Sequence, residues 1–175
     1  MNIKQWRLRP RGTTFLISFF ITSLLHSAAL NQPAPSFALV DLQQHQRSLS
    51  SYRGKVLLIN FWASWCGPCQ QELPALSRLG SEYQDKKVRI LAINVDENWS
   101  EAQKLLTRLG ISTSRLEILR DSKSKVVSAY QIEAMPSSFI IDAQGIIRFS
   151  HSGFHAQDPG TWRQELDTLL RQTPR

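Results

Sequence analysis

Only two of the 175 residues are cysteine, and they stand three positions apart, Cys66 and Cys69. A multi-disulfide framework of the kind that staples small exported domains is excluded, and thiol exchange beyond this pair has to involve another molecule. No cysteine lies near the start of the chain, so lipid attachment at a new N-terminal cysteine is excluded as well. Acidic residues are absent from the first 29 positions, which hold Lys4, Arg7, Arg9 and Arg11. Setting those four aside leaves 17 basic against 14 acidic residues, a net of +3 in place of +7. The remaining basic residues form no continuous stripe, "KKVR" (Lys86 to Arg89) being the densest cluster, and no reader motif is present, so nucleic-acid binding is not expected. Repeats and low-complexity tracts are also lacking.

The N-terminus has no apolar run of the roughly 20 residues that span a bilayer. Its basic residues precede "FLISFFITSLL" (Phe15 to Leu25), which Ser and Thr interrupt and "HSAA" follows. Basic, then apolar, then small residues is the layout of a secretory signal. Ser27 and Ala29 fit the positions three and one before a cut, giving a signal peptide over 1–29 and one domain over 30–175. An uncleaved membrane anchor is the alternative. Either way the domain is expected outside the cytoplasm, in a periplasm or an equivalent compartment.

Within the domain, Asn31 to Lys55 reads as a Pro-containing lead-in and a small hairpin. "VLLINFWA" (Val56 to Ala63) is a continuous apolar run of strand length, suited to a strand covered on both faces. Pro68 to Leu79 follows as a helix with Gly80 as its stop and Pro74 inside it, where a backbone hydrogen bond is lost. "VRILAINVD" (Val88 to Asp96) is a second buried strand. Ser100 is the expected N-cap of a helix ending at Gly110. Arg115 to Asp121 reads as a strand, Ser122 to Ile132 as a helix, and Ser137 to Gly153 as two strands turning at Ala143-Gln144-Gly145. A last helix begins after Pro159 and Gly160 and turns Trp162, Leu166, Leu169 and Leu170 inward. The order β-α-β-α-β-α-β-β-α after the hairpin implies an α/β fold, a mixed central sheet flanked by helices on both faces.

The strand–helix context puts Cys66 at the first turn of a helix, where unpaired N–H groups and the dipole favour an anion. Its thiol is expected to ionise readily. Cys69 lies one turn on, within reach of Cys66. Gly67 and Pro68 suit a tight entry into the helix. Three readings of the pair stand side by side. A structural staple is weak, because so short a loop removes little chain entropy. A zinc site with His151 and His155 of "HSGFH" has four ligands but about 80 residues between its halves, far from the usual spacing of roughly 12 to 15. Both histidines otherwise read as exposed loop positions. A reactive dithiol suits an exported protein without other thiols.

"FWASWCGPCQQELP" (Phe61 to Pro74) resembles the active-site signature of the thioredoxins, and the chain from about Pro35 to Arg175 is similar to their exported TlpA/ResA-like branch. Glu72 and an extra helix–strand insertion (about Ser100 to Arg120) carry the second likeness. The resemblance implies a thioredoxin-like fold, a redox-active Cys66–Cys69 disulfide, Cys66 as the attacking cysteine and Cys69 as the resolving one. It also implies a cis bond at Met135-Pro136 facing the dithiol, with the backbone of Met135 free to hold an extended peptide. Gly153 matches the small residue bordering that groove, and Trp65, Gly67 and Pro68 complete the substrate-binding set. Where thioredoxins have a buried Asp, this chain has Asn60, which cannot titrate. Glu72 is then the nearest carboxylate for proton transfer, its other role being a first-turns acid favoured by the helix dipole. Trp62 reads as core packing. Ser137 stands where some cytochrome c maturation relatives are acidic.

The function these features imply is an exported protein-disulfide reductase. Its partners would be protein disulfides, with apocytochrome c among the targets, and a membrane electron donor. No metal or organic cofactor is implied. Thiol oxidase or isomerase activity is the alternative among enzymes, and a non-catalytic peptide-binding module is the alternative outside them.

Overall fold

The computed structural model describes residues 30–84 and 86–173. The expected signal peptide or anchor over 1–29 lies outside the described residues. A short hairpin, β1 (Ala38–Asp41) and β2 (Gln46–Ser48), leads through a 3-10 turn into β3 (Val56–Trp62). Then follow α1 (Gly67–Glu82), β4 (Val88–Asn94), α2 (Trp99–Arg108), β5 (Glu117–Arg120), α3 (Lys125–Ala129), β6 (Ser137–Ile141), β7 (Ile147–Ser152) and α4 (Asp158–Gln172). The seven strands form one sheet in the order β2-β1-β5-β4-β3-β6-β7.

Every residue of β3 is buried, as a strand flanked on both sides requires. It pairs in parallel with β4 and antiparallel with β6, and it alternates between two cores. Val56, Leu58 and Trp62 face α1, α2 and α4, whose Leu76, Leu79, Leu105, Trp162 and Leu166 close that side. Leu57, Ile59 and Phe61 face Val126, Tyr130 and the hairpin side chains Phe37 and Leu39. Helices α1, α2 and α4 on one face and the short α3 on the other, with the hairpin extending the sheet beside β5, make the mixed, doubly covered sheet that the element order implies.

Four local expectations change. Gly80 does not stop α1; it lies inside the helix, where an added Cβ would sit 2.1 Å from the Arg115 carbonyl oxygen. The glycine permits close approach of two backbones. Gly80→Ala is therefore expected to destabilise the fold by about 2–3 kcal/mol, read as a lower urea midpoint at unchanged slope. Asn98, not Ser100, caps α2: its Oδ1 accepts the Ser100 N–H at 3.1 Å. The run Ser122 to Ile132 yields only five helical residues, because Ser124 and Gln131 take positive φ at its two ends. The Asp121 carboxylate caps this short helix, accepting the N–H groups of Lys125, Val126 and Val127. The last helix starts earlier than expected, at Asp158, with Pro159 and Gly160 inside its first turn.

Candidate active site

The parallel strands end together, and β3 delivers the chain through Ala63, Ser64 and Trp65 to Cys66, the N-cap of α1. Two buried polar residues hold that connection. The Ser64 N–H donates to both carboxylate oxygens of Asp96 at 3.0 and 3.2 Å. Asn94 Nδ2 donates to the same carboxylate at 2.9 Å. From the other side Gln70 Nε2 donates to the Ser64 carbonyl at 2.8 Å. Neither Asn94 nor Asp96 stands out by sequence reading, although a polar pair closing a buried apolar strand is a usable signal.

Cys66 and Cys69 are joined by a disulfide. The Cys69 N–H donates to Cys66 Sγ at 3.2 Å, one of the free amide groups of the first helical turn aimed at the sulfur. Cys66 retains 6% of its surface and Cys69 none, so the first sulfur is the one within reach of another molecule. Beside them Trp65 is 71% exposed, while Trp62 is wholly buried. Gly67 and Pro68 form the start of the helix, and α1 continues through Pro74.

Glu72 lies in the second turn of α1, with 1% exposure. Its Oε2 accepts from Asn60 Nδ2 at 2.8 Å, and its Oε1 from Ser138 Oγ at 3.4 Å. Burial pushes the Glu72 carboxyl up to about 8; the Asn60 and Ser138 hydrogen bonds oppose this and the charge of Asp158 adds to it. Near that pH both forms are present, the protonated carboxyl able to give a proton to a departing thiolate and the carboxylate able to take one from a thiol. Ser138, on β6 and 66 residues away, escapes sequence reading.

The Met135-Pro136 bond is cis. Pairing of Ser137 with Phe61 sets Pro136 at the carboxyl end of β3, the end from which Cys66 follows. Met135 packs against the core cluster that includes Cys66 and Cys69, and its backbone groups make no hydrogen bond among the described residues. The Pro136 carbonyl is taken by the Gly153 N–H at 2.8 Å, and Gly153 itself has φ +80°. The Ser137 hydroxyl turns back to the Ala134 carbonyl at 2.7 Å.

The histidines are not a pair. His151 belongs to β7, half-buried with Nε2 2.8 Å from Glu165, whereas the exposed His155 ring lies 3.6 Å from Asp158. No group of three metal-ligating side chains occurs among the described residues.

A mixed sheet with a disulfide of this spacing at a strand–helix junction, opposite a cis-proline, defines a thioredoxin-like thiol–disulfide oxidoreductase. Comparison with known proteins agrees. The family model described as the AhpC/TSA family matches residues 30–150. The thiol-disulfide oxidoreductase ResA of Geobacillus kaustophilus is 36% identical over 137 residues, 78% of this chain and 76% of that protein. The ResA of Geobacillus thermodenitrificans is 35% identical over 141 residues, 81% of this chain and 78% of that protein. Among solved structures, one described as a thiol:disulfide interchange protein DsbE from Chlorobium tepidum matches with a TM-score of 0.75 and 31% identity, covering 81% of this chain and 98% of that one. The chain belongs to the AhpC/TSA family of thioredoxin-like proteins and is a thiol–disulfide oxidoreductase of the ResA/DsbE type.

Proposed function

We propose that this oxidoreductase works outside the cytoplasm as a reductant of protein disulfides, and that Cys66 and Cys69 carry the chemistry. The observation that carries the proposal is the position of Cys66 Sγ, near the surface beside an exposed tryptophan and hydrogen-bonded by a helix N-terminal amide. In the reduced protein that amide stabilises a thiolate. The Cys66 thiolate attacks one sulfur of a substrate disulfide, forming a mixed disulfide and releasing the other substrate sulfur as a thiolate that takes up a proton. Cys69 gives its proton to ionised Glu72, and its thiolate attacks Cys66 Sγ. The second substrate sulfur leaves and is protonated, and the Cys66–Cys69 disulfide remains. One disulfide has been reduced and one dithiol oxidised. A membrane partner that passes electrons outward would restore the dithiol.

Trp65, Gly67, Pro68, Met135, Pro136 and Gly153 surround the pair as the substrate groove, with the unpartnered Met135 backbone available to an extended peptide. Trp65→Ala is expected to raise KM for a protein disulfide about tenfold with kcat nearly unchanged and melting temperature unaffected, because so exposed a ring contributes little to the core. Apocytochrome c segments are candidate targets, since a Cys-x-x-Cys pair in an extended peptide offers a disulfide to this groove. A signal peptide or anchor over 1–29 and a domain over 30–175 complete the reading.

The Gly-Pro pair between the cysteines matches the reducing thioredoxins, at roughly −270 mV against roughly −120 mV for the oxidant DsbA. Equilibration of the purified protein with a thiol buffer series tests the direction. A potential near the first value supports a reductant; one near the second makes the protein an oxidase or isomerase of exported proteins.

A further inference from the structure

The end of the sheet remote from the dithiol gathers several basic residues. Lys55 stands just before β3, Lys86, Lys87 and Arg89 at the start of β4, and Arg115 just before β5. The Val56 N–H donates to the Lys87 carbonyl at 2.9 Å, so the first two groups are neighbours. Lys55, Arg89 and Arg115 line one cavity of about 410 Å³, together with Arg47 and the carboxylates of Asp41 and Glu117 that it pairs with. Described acids of this region are already engaged: Asp41 and Glu117 by Arg47, Asp142 by Arg148, and Glu82 by Arg163. Lys55 and Arg115 have no acidic partner among the described residues, which do not include Asp85.

The chain also enters the fold at this end. The Asn31 N–H donates to the Ile147 carbonyl at 2.7 Å and the Ala34 N–H to the Gly145 carbonyl at 2.9 Å, in the β6–β7 turn. That turn abuts the start of β3, where the Gly54 N–H donates to the Ala143 carbonyl at 3.0 Å. The first described residues thus lie at the end of the sheet that carries the basic cluster.

We infer that the amino end of the parallel strands is a docking surface for anionic phospholipid, the cavity between Lys55, Arg89 and Arg115 receiving a headgroup phosphate and the dithiol facing away from the bilayer. The inference rests on the extracytoplasmic location in the proposed function and on its alternative of an uncleaved membrane anchor, and is independent of the redox direction. Clustered basic residues next to a membrane-seeking segment are attracted to an anionic surface, and each contributes about a fivefold change in binding at moderate salt. The dithiol then stays open to soluble protein substrates while the bilayer occupies the opposite end.

The test is lysine footprinting of the full chain with a water-soluble acylating reagent, in nanodiscs of phosphatidylcholine alone or with phosphatidylglycerol. Labelling of Lys55, Lys86 and Lys87 is expected to fall at least about fivefold in the anionic discs, while Lys123, at the carboxyl end of the strands, labels equally in both. The protection should vanish at high salt and in the double variant Arg89→Glu/Arg115→Glu, whose melting temperature and disulfide reductase activity report an intact fold. Equal labelling in the two lipids overturns the inference, as does equal protection at Lys123. Protection in neutral discs on adding inorganic phosphate alone would also overturn it, assigning the cavity to a soluble anion. Loss of reductase activity in the purified wild-type protein would count against the proposed function and not against this surface.

Discussion

Cys69→Ser is expected to accumulate covalent complexes with its substrates through Cys66, visible as thiol-sensitive bands in non-reducing gels, whereas Cys66→Ser forms none. Both lose disulfide reductase turnover by on the order of a thousand-fold or more, because the two sulfurs act as a unit. The asymmetry follows from the site. The sulfur of Cys66 is accessible and hydrogen-bonded by the Cys69 amide, while Cys69 is fully buried and bonded to Cys66. Serine at 69 leaves the attacking thiolate in place and removes the group that releases the substrate. A double variant that kept the protein's cellular role would instead identify a peptide-binding module in which the dithiol is incidental. Trapping through Cys66→Ser in place of Cys69→Ser would reverse the assignment of the two cysteines.

The second large effect concerns Glu72. Its carboxyl is raised from 4.5 to about 8 by burial, with the Asn60 and Ser138 hydrogen bonds opposing. Between those two values the folded protein holds a proton that the unfolded chain has released. Stability is therefore greatest below about pH 4.5 as far as this group is concerned, and falls as pH rises toward 8, by about 3 kcal/mol at pH 7. Glu72→Gln keeps a neutral amide in the same place and should abolish that slope, raising the melting temperature at neutral pH while leaving it nearly unchanged at pH 4. The same variant cannot accept a proton, so the step in which Cys69 attacks the mixed disulfide is expected to slow about a hundredfold and lose its pH dependence near 8. A variant with the wild-type stability profile and an unaltered resolving rate would remove Glu72 from the mechanism.

Burial of Glu72 was the least legible part of the site. The cysteine pair, the strand before it and the helix after it are local features, written in consecutive residues from Val56 to Leu79, and the structure places them with little change. Asn60 was visible as the lone polar residue in an apolar run, but only as a departure from the thioredoxin pattern. What it does depends on β6, which brings Ser138 to within 3.0 Å of its amide from 78 residues away. Asn60 and Ser138 together make a polar pocket inside the core, and a carboxylate one turn beyond Cys69 has nowhere else to point. Gly80 shows the same limit: local pattern reads a stop, and the carbonyl of Arg115 turns it into a packing requirement. His151 read as an exposed loop position when taken with His155, although it falls in the run Ser137 to Gly153 read as strands; pairing of β7 with β6 carries the strand through it to Ser152.

The central claim is that the dithiol is held ready to reduce other proteins. Alkylation trapping of Cys66 and Cys69 in intact cells reads this directly, since each reduced thiol adds one mass tag before the cell is opened. The account predicts a largely reduced pair, oxidised when the electron supply across the membrane is removed. A pair found largely as the disulfide in growing cells would contradict it and point to an oxidase.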